Sequence, residues 1–268
     1  MRKHATILFL FLIGFTLQSE AQVWIDFKTD TKDFLFTGQD FYGTTLSGDK
    51  QTYTNAALIG AGIIGVSLLD KTVRSFAMKH QSTFGNSLFS IDNYYGDKWY
   101  TAGGIAVLYL GGLLSEHEGL RKTGLLTAEA WFYTGLMAVF VKELFGRSRP
   151  YRDSGPYDFH PFSFTEPKRS FFSGHASTVF AVSTVMASRI DNIFWKTTWY
   201  AAALLTSGAR MYHDKHWFSD VTAGAIFGYA VGRFVVNRAQ NQTSSKIKLS
   251  SDNSAAGQHM IGITVFLD

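Results

Sequence analysis

The segment from Ala209 to Asp220 reads ARMYHDKHWFSD and carries three side chains suited to chemistry at a phosphate. His216 and Asp220 stand four residues apart before an apolar run at 221–236, so they share one face of a helical turn. Asp220 can then accept a hydrogen bond from one ring nitrogen of His216, which leaves the other nitrogen as a nucleophile. Arg210 offers a planar guanidinium that can bind two oxygens of a phosphate. The alternative is a capping aspartate and a stacked histidine at a helix start.

Two further groups flank the long loop between the third and fourth predicted helices. The loop starts with VKELFGRSRPY, in which Lys142 and Arg149 are two cations that can converge on one anion or compensate a helix dipole. It ends with KRSFFSGHAS, in which Ser173 is a helix cap and Gly174 permits close backbone approach. A helix start of this kind binds anions, and His175 in its first turn can donate a proton. The alternative is a capped helix without a ligand.

Six apolar blocks rich in Ala, Gly, Leu and Val follow the N-terminal region, and none alternates as a strand does. We therefore predict an all-α fold, a six-helix bundle. The blocks span residues 56–69, 102–114, 125–141, 176–188, 197–209 and 221–236. None is an unbroken apolar run of about 20 residues, the length that crosses a bilayer upright. In an up-and-down bundle, the three polar junctions lie at the same end.

Composition limits the class of protein. The chain has 268 residues, of which 46% are hydrophobic, 16% aromatic and 17% charged, so it can bury a core, and its 25 glycines indicate closely packed helices. Mean hydropathy of +0.01 is borderline between membrane and soluble proteins. The net charge of +4 is modest and no basic block with interleaved aromatics appears, so we expect no nucleic acid partner but anionic small molecules or lipid headgroups. The absence of cysteine excludes disulfides and a cysteine nucleophile.

The N-terminus carries Arg2 and Lys3, then an apolar core at 5–17, then small residues up to Ala21. This pattern is typical of a secretory signal peptide cleaved after Ala21, and an uncleaved anchor helix is the alternative. Residues 260–267 could form a short strand. The predicted organisation is a signal peptide at 1–21, a loose extracytoplasmic segment at 22–53, the helical domain at 54–238 and a polar tail at 239–268.

Together, the three clusters resemble the three-part motif of the type 2 phosphatidic acid phosphatase (PAP2) superfamily, over roughly residues 102–236. The motifs are Lys142-x6-Arg149-Pro150, Ser173-Gly174-His175 and Arg210-x5-His216-x3-Asp220. Phe172 stands where many members have proline, and Ala209 where a serine usually precedes the arginine. The second motif, SFFSGHAS, is similar to that of lipid phosphate phosphatases.

The resemblance implies hydrolysis of a phosphomonoester or diphosphate without a metal or other cofactor, through a phosphohistidine. In that mechanism His216 attacks phosphorus, Asp220 orients it, and His175 protonates the leaving group. The phosphate-binding residues implied are Lys142, Arg149, Ser173, Gly174 and Arg210. We interpret His160 and His213 as loop residues outside the site.

An apolar rim favours a lipid phosphate substrate over a sugar or nucleotide phosphate. The rim residues are Phe145, Tyr151, Phe171 and Phe172. Phosphatidate, phosphatidylglycerophosphate, undecaprenyl diphosphate and lipid A phosphates all remain open. The rival interpretations are a vanadium-dependent haloperoxidase, which holds vanadate in a similar pocket, and a non-catalytic envelope protein that binds lipid phosphate.

The short turns predict the sidedness of a membrane-associated chain. Arg121 and Lys122 join the second and third helices, and Arg189 and Lys196 join the fourth and fifth. The positive-inside rule places these turns in the cytoplasm and all three motifs on the periplasmic face. We then expect five crossings, with 56–69 packed against the bundle or at the interface. A bundle that stays in the periplasm without spanning is the alternative.

Overall fold

A computed structural model describes residues 2–253 and 259–265, with side chains for residues 21–44 and 47–242. In that part of the chain it contains nine α-helices and one antiparallel β-hairpin. The elements are α1 (Arg2–Leu46), α2 (Lys50–Ser67), α3 (Asp70–Lys79), α4 (Thr83–Phe89), α5 (Lys98–Leu114), α6 (Glu118–Phe145), α7 (Gly174–Ser188), α8 (Ile193–Tyr212), α9 (Phe218–Lys246), β1 (Ile247–Asn253) and β2 (His259–Val265). Single turns of 3-10 helix lie at Ser90–Asn93, Pro150–Arg152 and Glu166–Lys168.

The all-α prediction is confirmed, and each of the six apolar blocks forms a helix. They become α2, α5, α6, α7, α8 and α9. The short strand predicted at 260–267 overlaps β2, although its last two residues lie outside the described part of the chain. Cleavage after Ala21 stays a prediction.

The expectation of a loose segment at 22–53 is wrong, because residues up to Leu46 continue helix α1 and Lys50 starts α2. The buried side of α1 mixes polar residues, Asp30 and Thr37, with the aromatic Phe41, so no regular apolar period marks it in the sequence. Asp30 accepts hydrogen bonds from Arg121 Nη1 at 3.2 Å and from the Tyr109 hydroxyl at 3.0 Å.

Helix α1 lies parallel to α6. Asp30 pairs with Arg121 near the start of α6, and about two turns later Thr37 Oγ1 donates to Glu129 Oε1 at 2.9 Å. The Tyr133 hydroxyl, one turn further along α6, contacts the backbone oxygen of Phe34. Glu129 interrupts the apolar pattern of α6 because it is the buried partner of α1.

Glycines bring α7 and α9 into close contact. A Cβ at Gly228 would lie 2.0 Å from the Ser177 oxygen, and one at Gly224 would lie 2.5 Å from the Ser173 oxygen. The two helices can therefore pack only because these positions lack side chains. The contact places the starts of α7 and α9 together, where the Ser173 amide donates to the backbone oxygen of Asp220 at 3.0 Å.

Within the described residues, α6 is long and apolar enough to cross a membrane. Helices α2 and α3 meet the same test as one span bent by 48°. Length and hydropathy thus support one crossing, or two, rather than the predicted five, and one of the two includes the block at 56–69. The reason is partly length, because α5 has 17 residues and α7 has 15, fewer than the about 20 that a span needs.

Candidate active site

The three polar junctions meet at one end of the bundle, as the sequence predicts. A Cβ at Gly174, in the first turn of α7, would lie 3.7 Å from Cε of Lys142, in the last turn of α6. The loop between α8 and α9 folds back on α8, because the His216 amide donates to the Arg210 oxygen at 3.2 Å. Arg149 contacts the same loop through the Lys215 oxygen, at 3.5 Å. All three motifs therefore border one site.

The cations of the first motif are held by the loop that follows α6. Lys142 Nζ donates to the Arg169 oxygen at 2.9 Å. Arg149 is buried, and it donates to the backbone oxygen of Glu166 at 3.2 Å and also pairs with the Glu166 carboxylate. Backbone contacts of this kind fix where the two positive charges stand, which a surface ion pair alone does not.

Arg210 is oriented by a residue outside the motifs. Its Nη1 donates to Oδ2 of buried Asp92 at 2.7 Å, and Nδ1 of His213 lies 3.2 Å from the same oxygen. Nε of Arg210 is buried and has no partner among residues 21–44 and 47–242. That N–H is available to a phosphate oxygen. His213 caps the C-terminal end of α8 and so supports the site indirectly.

The direct hydrogen bond predicted between His216 and Asp220 is not present. Nδ1 of His216 lies 3.7 Å from Oδ2 of Asp220, beyond hydrogen-bond distance. Ser170 stands beside both: its hydroxyl donates to that Oδ2 at 2.5 Å and lies 3.5 Å from the His216 nitrogen. Oδ2 also accepts from the Trp217 amide at 2.9 Å, so Asp220, the third residue of α9, reaches back to stabilise the helix start as the acidic residue of a capping box does.

Arg147 and Asp70 are a buried pair that the sequence did not reveal. Arg147 donates from Nη1 to Oδ1 of Asp220 at 2.5 Å and from Nη2 to Oδ2 of Asp70 at 2.7 Å. Asp70, from α3, also accepts from the amide and the hydroxyl of Ser219, at 2.8 and 2.7 Å. Asp220 therefore has a charged partner other than His216, although it shares Arg147 with Asp70. Arg147 stands two residues before Arg149, which was the one available signal.

His216 is kept neutral by its surroundings. Burial, followed by the positive charges of Lys142, Arg149 and Arg210, lowers the pKa of His216 well below its usual value. A neutral imidazole has a free lone pair on one ring nitrogen, which a nucleophile requires.

The second motif supplies the start of α7. Ser173 is buried and caps the helix, because its Oγ accepts from the Ala176 amide at 3.4 Å. The first amides of a helix have no earlier carbonyl to bond, so those of Gly174 and His175 suit an anion. Gly96 packs beside His175, with a would-be Cβ 3.3 Å from the ring carbon Cδ2.

The aromatic rim is smaller than predicted. Phe145 and Phe171 pack edge to face at 5.0 Å, and Tyr151 lies 5.2 Å below Nζ of Lys215. Phe172 is buried instead, with its ring 5.1 Å from that of Phe227, because the proline usual at this position is replaced by a core side chain.

Comparison with known proteins agrees with this arrangement. The PAP2 superfamily model matches residues 123–244, which contain all three motifs. Over these residues the chain is similar to the PAP2 superfamily. Among curated relatives, the lipid A 1-phosphatase of Rhizobium johnstonii is 35% identical over 98 residues, which cover 36% of this chain and 39% of that protein. The lipid A 4'-phosphatase of Porphyromonas gingivalis is 28% identical over 120 residues, 44% of this chain and 51% of that protein. The chain thus spans between two fifths and half the length of these relatives.

Two solved structures share the fold. Aquifex aeolicus LpxE superposes with a TM-score of 0.52 at 20% identity, covering 63% of this chain and 95% of that one. The transmembrane PAP2 type phosphatidylglycerolphosphate phosphatase from Bacillus subtilis gives 0.53 at 16% identity, covering 80% and 95%.

Proposed function

We propose that this protein hydrolyses the phosphate of a membrane lipid, through a phosphohistidine formed on His216. The observation that carries the proposal is the buried, neutral His216 among the positive charges of Lys142, Arg149 and Arg210. Three cations at one site neutralise the negative charge on the oxygens of the phosphoryl group in the transition state. Catalysis of phosphoryl transfer depends mostly on such neutralisation and on positioning.

In the first step, Nε2 of His216 attacks phosphorus, forming a P–N bond while the bond from phosphorus to the lipid oxygen breaks. Nδ1 faces the opposite way, toward the hydroxyl of Ser170 and the carboxylate of Asp220. As positive charge develops on the imidazole, these two groups stabilise it.

His175 gives its proton to the departing oxygen. In the second step it takes a proton from water, which attacks phosphorus, breaks the P–N bond and releases inorganic phosphate. Burial, followed by the positive charge of Arg210, lowers the pKa of His175 to about 3, so its ring is neutral while the site is empty. It is therefore most readily charged when the negative phosphate occupies the site.

A lipid substrate is supported by two observations. The rim beside the phosphate site carries Phe145, Phe171 and Tyr151, each partly exposed. The matched relatives from R. johnstonii and P. gingivalis are named lipid A phosphatases. Among lipid phosphates, lipid A is therefore the first to test, ahead of phosphatidate, phosphatidylglycerophosphate and undecaprenyl diphosphate. A periplasmic site is proposed on the charge of the short turns.

The test is phosphate release by purified protein in detergent, with EDTA, on these four lipids and on a soluble phosphate ester. We expect release from at least one lipid, well above the soluble ester, and loss of about 10³-fold or more in His216→Ala with the unfolding temperature retained. His160→Ala is the matched control, because His160 is in the exposed part of the loop after α6 and pairs with Asp158. A folded His216→Ala protein with most of its activity would remove His216 from the nucleophile role.

A further inference from the structure

An apolar cavity of about 470 Å³ lies between α5, α7 and α8, separate from the residues that bind phosphate. Aromatic and aliphatic side chains make up most of its wall, and no charged residue contributes to it. The residues that line it are Tyr94, Tyr95, Tyr100, Thr101, Gly104, Ile105, Val107, Leu108, Thr127, Val182, Met186 and Trp199.

This cavity continues the line of the active site along α7. His175, Val179, Val182 and Met186 stand at i, i+4, i+7 and i+11, which is one face of the helix. With a rise of about 1.5 Å per residue, Val182 and Met186 lie about 10 and 16 Å along the axis from His175. The cavity therefore lies on the same face of α7 as His175, within the length of a lipid chain from the phosphate site.

The turn before α5 forms the wall between the two sites. A Cβ at Gly96 would lie 2.9 Å from Cγ1 of Val179, so the turn packs directly on the stripe. The Tyr95 hydroxyl is 2.6 Å from Oγ of Ser183 and donates to the Val179 oxygen at 3.2 Å. With its polar end satisfied on α7, Tyr95 presents its ring to the cavity.

The cavity borders the outer surface of the bundle. Tyr94 and Tyr100 are 59% and 61% exposed, with rings 5.2 Å apart in an edge-to-face arrangement. Val107, further along α5, is 75% exposed. An apolar chain can therefore enter from the side of the bundle, without passing through the polar phosphate site.

We infer that this cavity binds an acyl chain of the substrate while the phosphate stands at His216. The inference rests on the proposed lipid phosphatase function and adds where the lipid is held. The volume of the cavity falls within the range of small-molecule sites, about 300–1,000 Å³. A sugar or nucleotide would leave its polar groups unpaired against such a wall, whereas an acyl chain has none to pair.

Gly104 allows a clean test. A Cβ there would meet no atom within 4 Å, and Gly104 lines the cavity, so a side chain at this position starts in open space and Gly104→Leu occupies part of the cavity. Gly103→Leu is the matched control: its Cβ is equally free of contacts and it is on the same helix, but it does not line the cavity. Both changes replace a glycine inside a helix by a better helix former, so both proteins should fold.

The measurement is kcat/KM on a long-chain lipid phosphate and on a short-chain, water-soluble analogue. Gly104→Leu should lower the long-chain value about tenfold, mainly through KM, and leave the short-chain value unchanged, because binding far from the reacting atoms is lost. The long-chain kcat/KM of Gly104→Ala should lie between those of Gly104→Leu and the unmodified protein. Gly103→Leu should change neither the long-chain nor the short-chain value.

An unchanged long-chain value in Gly104→Leu, or equal losses on both substrates, would overturn the acyl-chain site. If the unmodified protein releases no phosphate from either substrate, the proposed function itself is wrong. The two failures are therefore distinguishable.

Discussion

The hydroxyl of Ser170 lies 2.5 Å from Oδ2 of Asp220 and 3.5 Å from Nδ1 of His216. The carboxylate therefore reaches His216 through a hydroxyl rather than by its own contact. Arg147 and the Trp217 amide also bind Asp220, so its carboxylate is fixed in place. Among Asp220, Ser170 and His216, the Ser170 hydroxyl is the one that can rotate to follow the charge on His216.

Ser170→Ala should lower kcat about tenfold with little change in KM, because the Ser170 hydroxyl stabilises His216 only as positive charge develops on the imidazole. Steady-state phosphate release measures both constants. Ser163→Ala is the control, since Ser163 is in the same loop and contacts Thr165 instead. A raised KM with unchanged kcat would contradict the role given to Ser170.

Asp92→Asn should weaken phosphate binding, because Arg210 loses the charged partner that orients it at 2.7 Å. We expect vanadate inhibition to weaken about tenfold, with some loss of stability from a buried guanidinium that has lost its counter-charge. Asp214→Asn serves as control, since Asp214 pairs with Arg74 at 2.8 Å. Equal inhibition of Asp92→Asn and unmodified protein would show that Asp92 does not act through Arg210.

Chelators should leave the rate unchanged and vanadate should inhibit, because pentavalent vanadium resembles the five-coordinate phosphorus of the transition state. The assay is phosphate release with EDTA or with orthovanadate. Strong inhibition by EDTA that magnesium reverses would contradict the proposed mechanism. Halide oxidation that depends on added vanadate would support the haloperoxidase interpretation instead.

The depressed pKa of His216 predicts two effects of pH. In the folded protein His216 stays neutral as the pH falls, so its protonation should not limit kcat/KM until the pH is well below about 6.5. In the unfolded chain the same histidine takes up a proton below about pH 6.5, so stability falls as the pH drops through that value.

Thermal unfolding of His216→Gln between pH about 7 and 5 checks the second effect. The variant should lose less of its unfolding temperature across this range than the unmodified protein does. Equal slopes for the two proteins would mean that His216 takes up its proton in the folded state as well.

Much of the site could be predicted from the sequence, because its motif residues adjoin helix ends and the spacing carries the information. The residues that hold the motifs could not. Asp92 reaches Arg210 across 118 positions and Asp70 reaches Arg147 across 77, and a single aspartate on a short helix carries no local signal. Helix α1 was not predicted because its buried face mixes Asp30 and Thr37 with Phe41, so the sequence shows no regular apolar period there.

The parallel arrangement of α1 and α6 limits how the protein can sit in an envelope. Asp26 of α1 lies 3.2 Å from Arg121 at the start of α6, whereas Lys142 is at the far end of α6. If α6 crosses a bilayer, Ala21 and the phosphate site are therefore on opposite sides of it. A leader cut after Ala21 outside the cytoplasm would then place the site inside. A processed leader and a periplasmic site are compatible only in a bundle that rests on the membrane without spanning it.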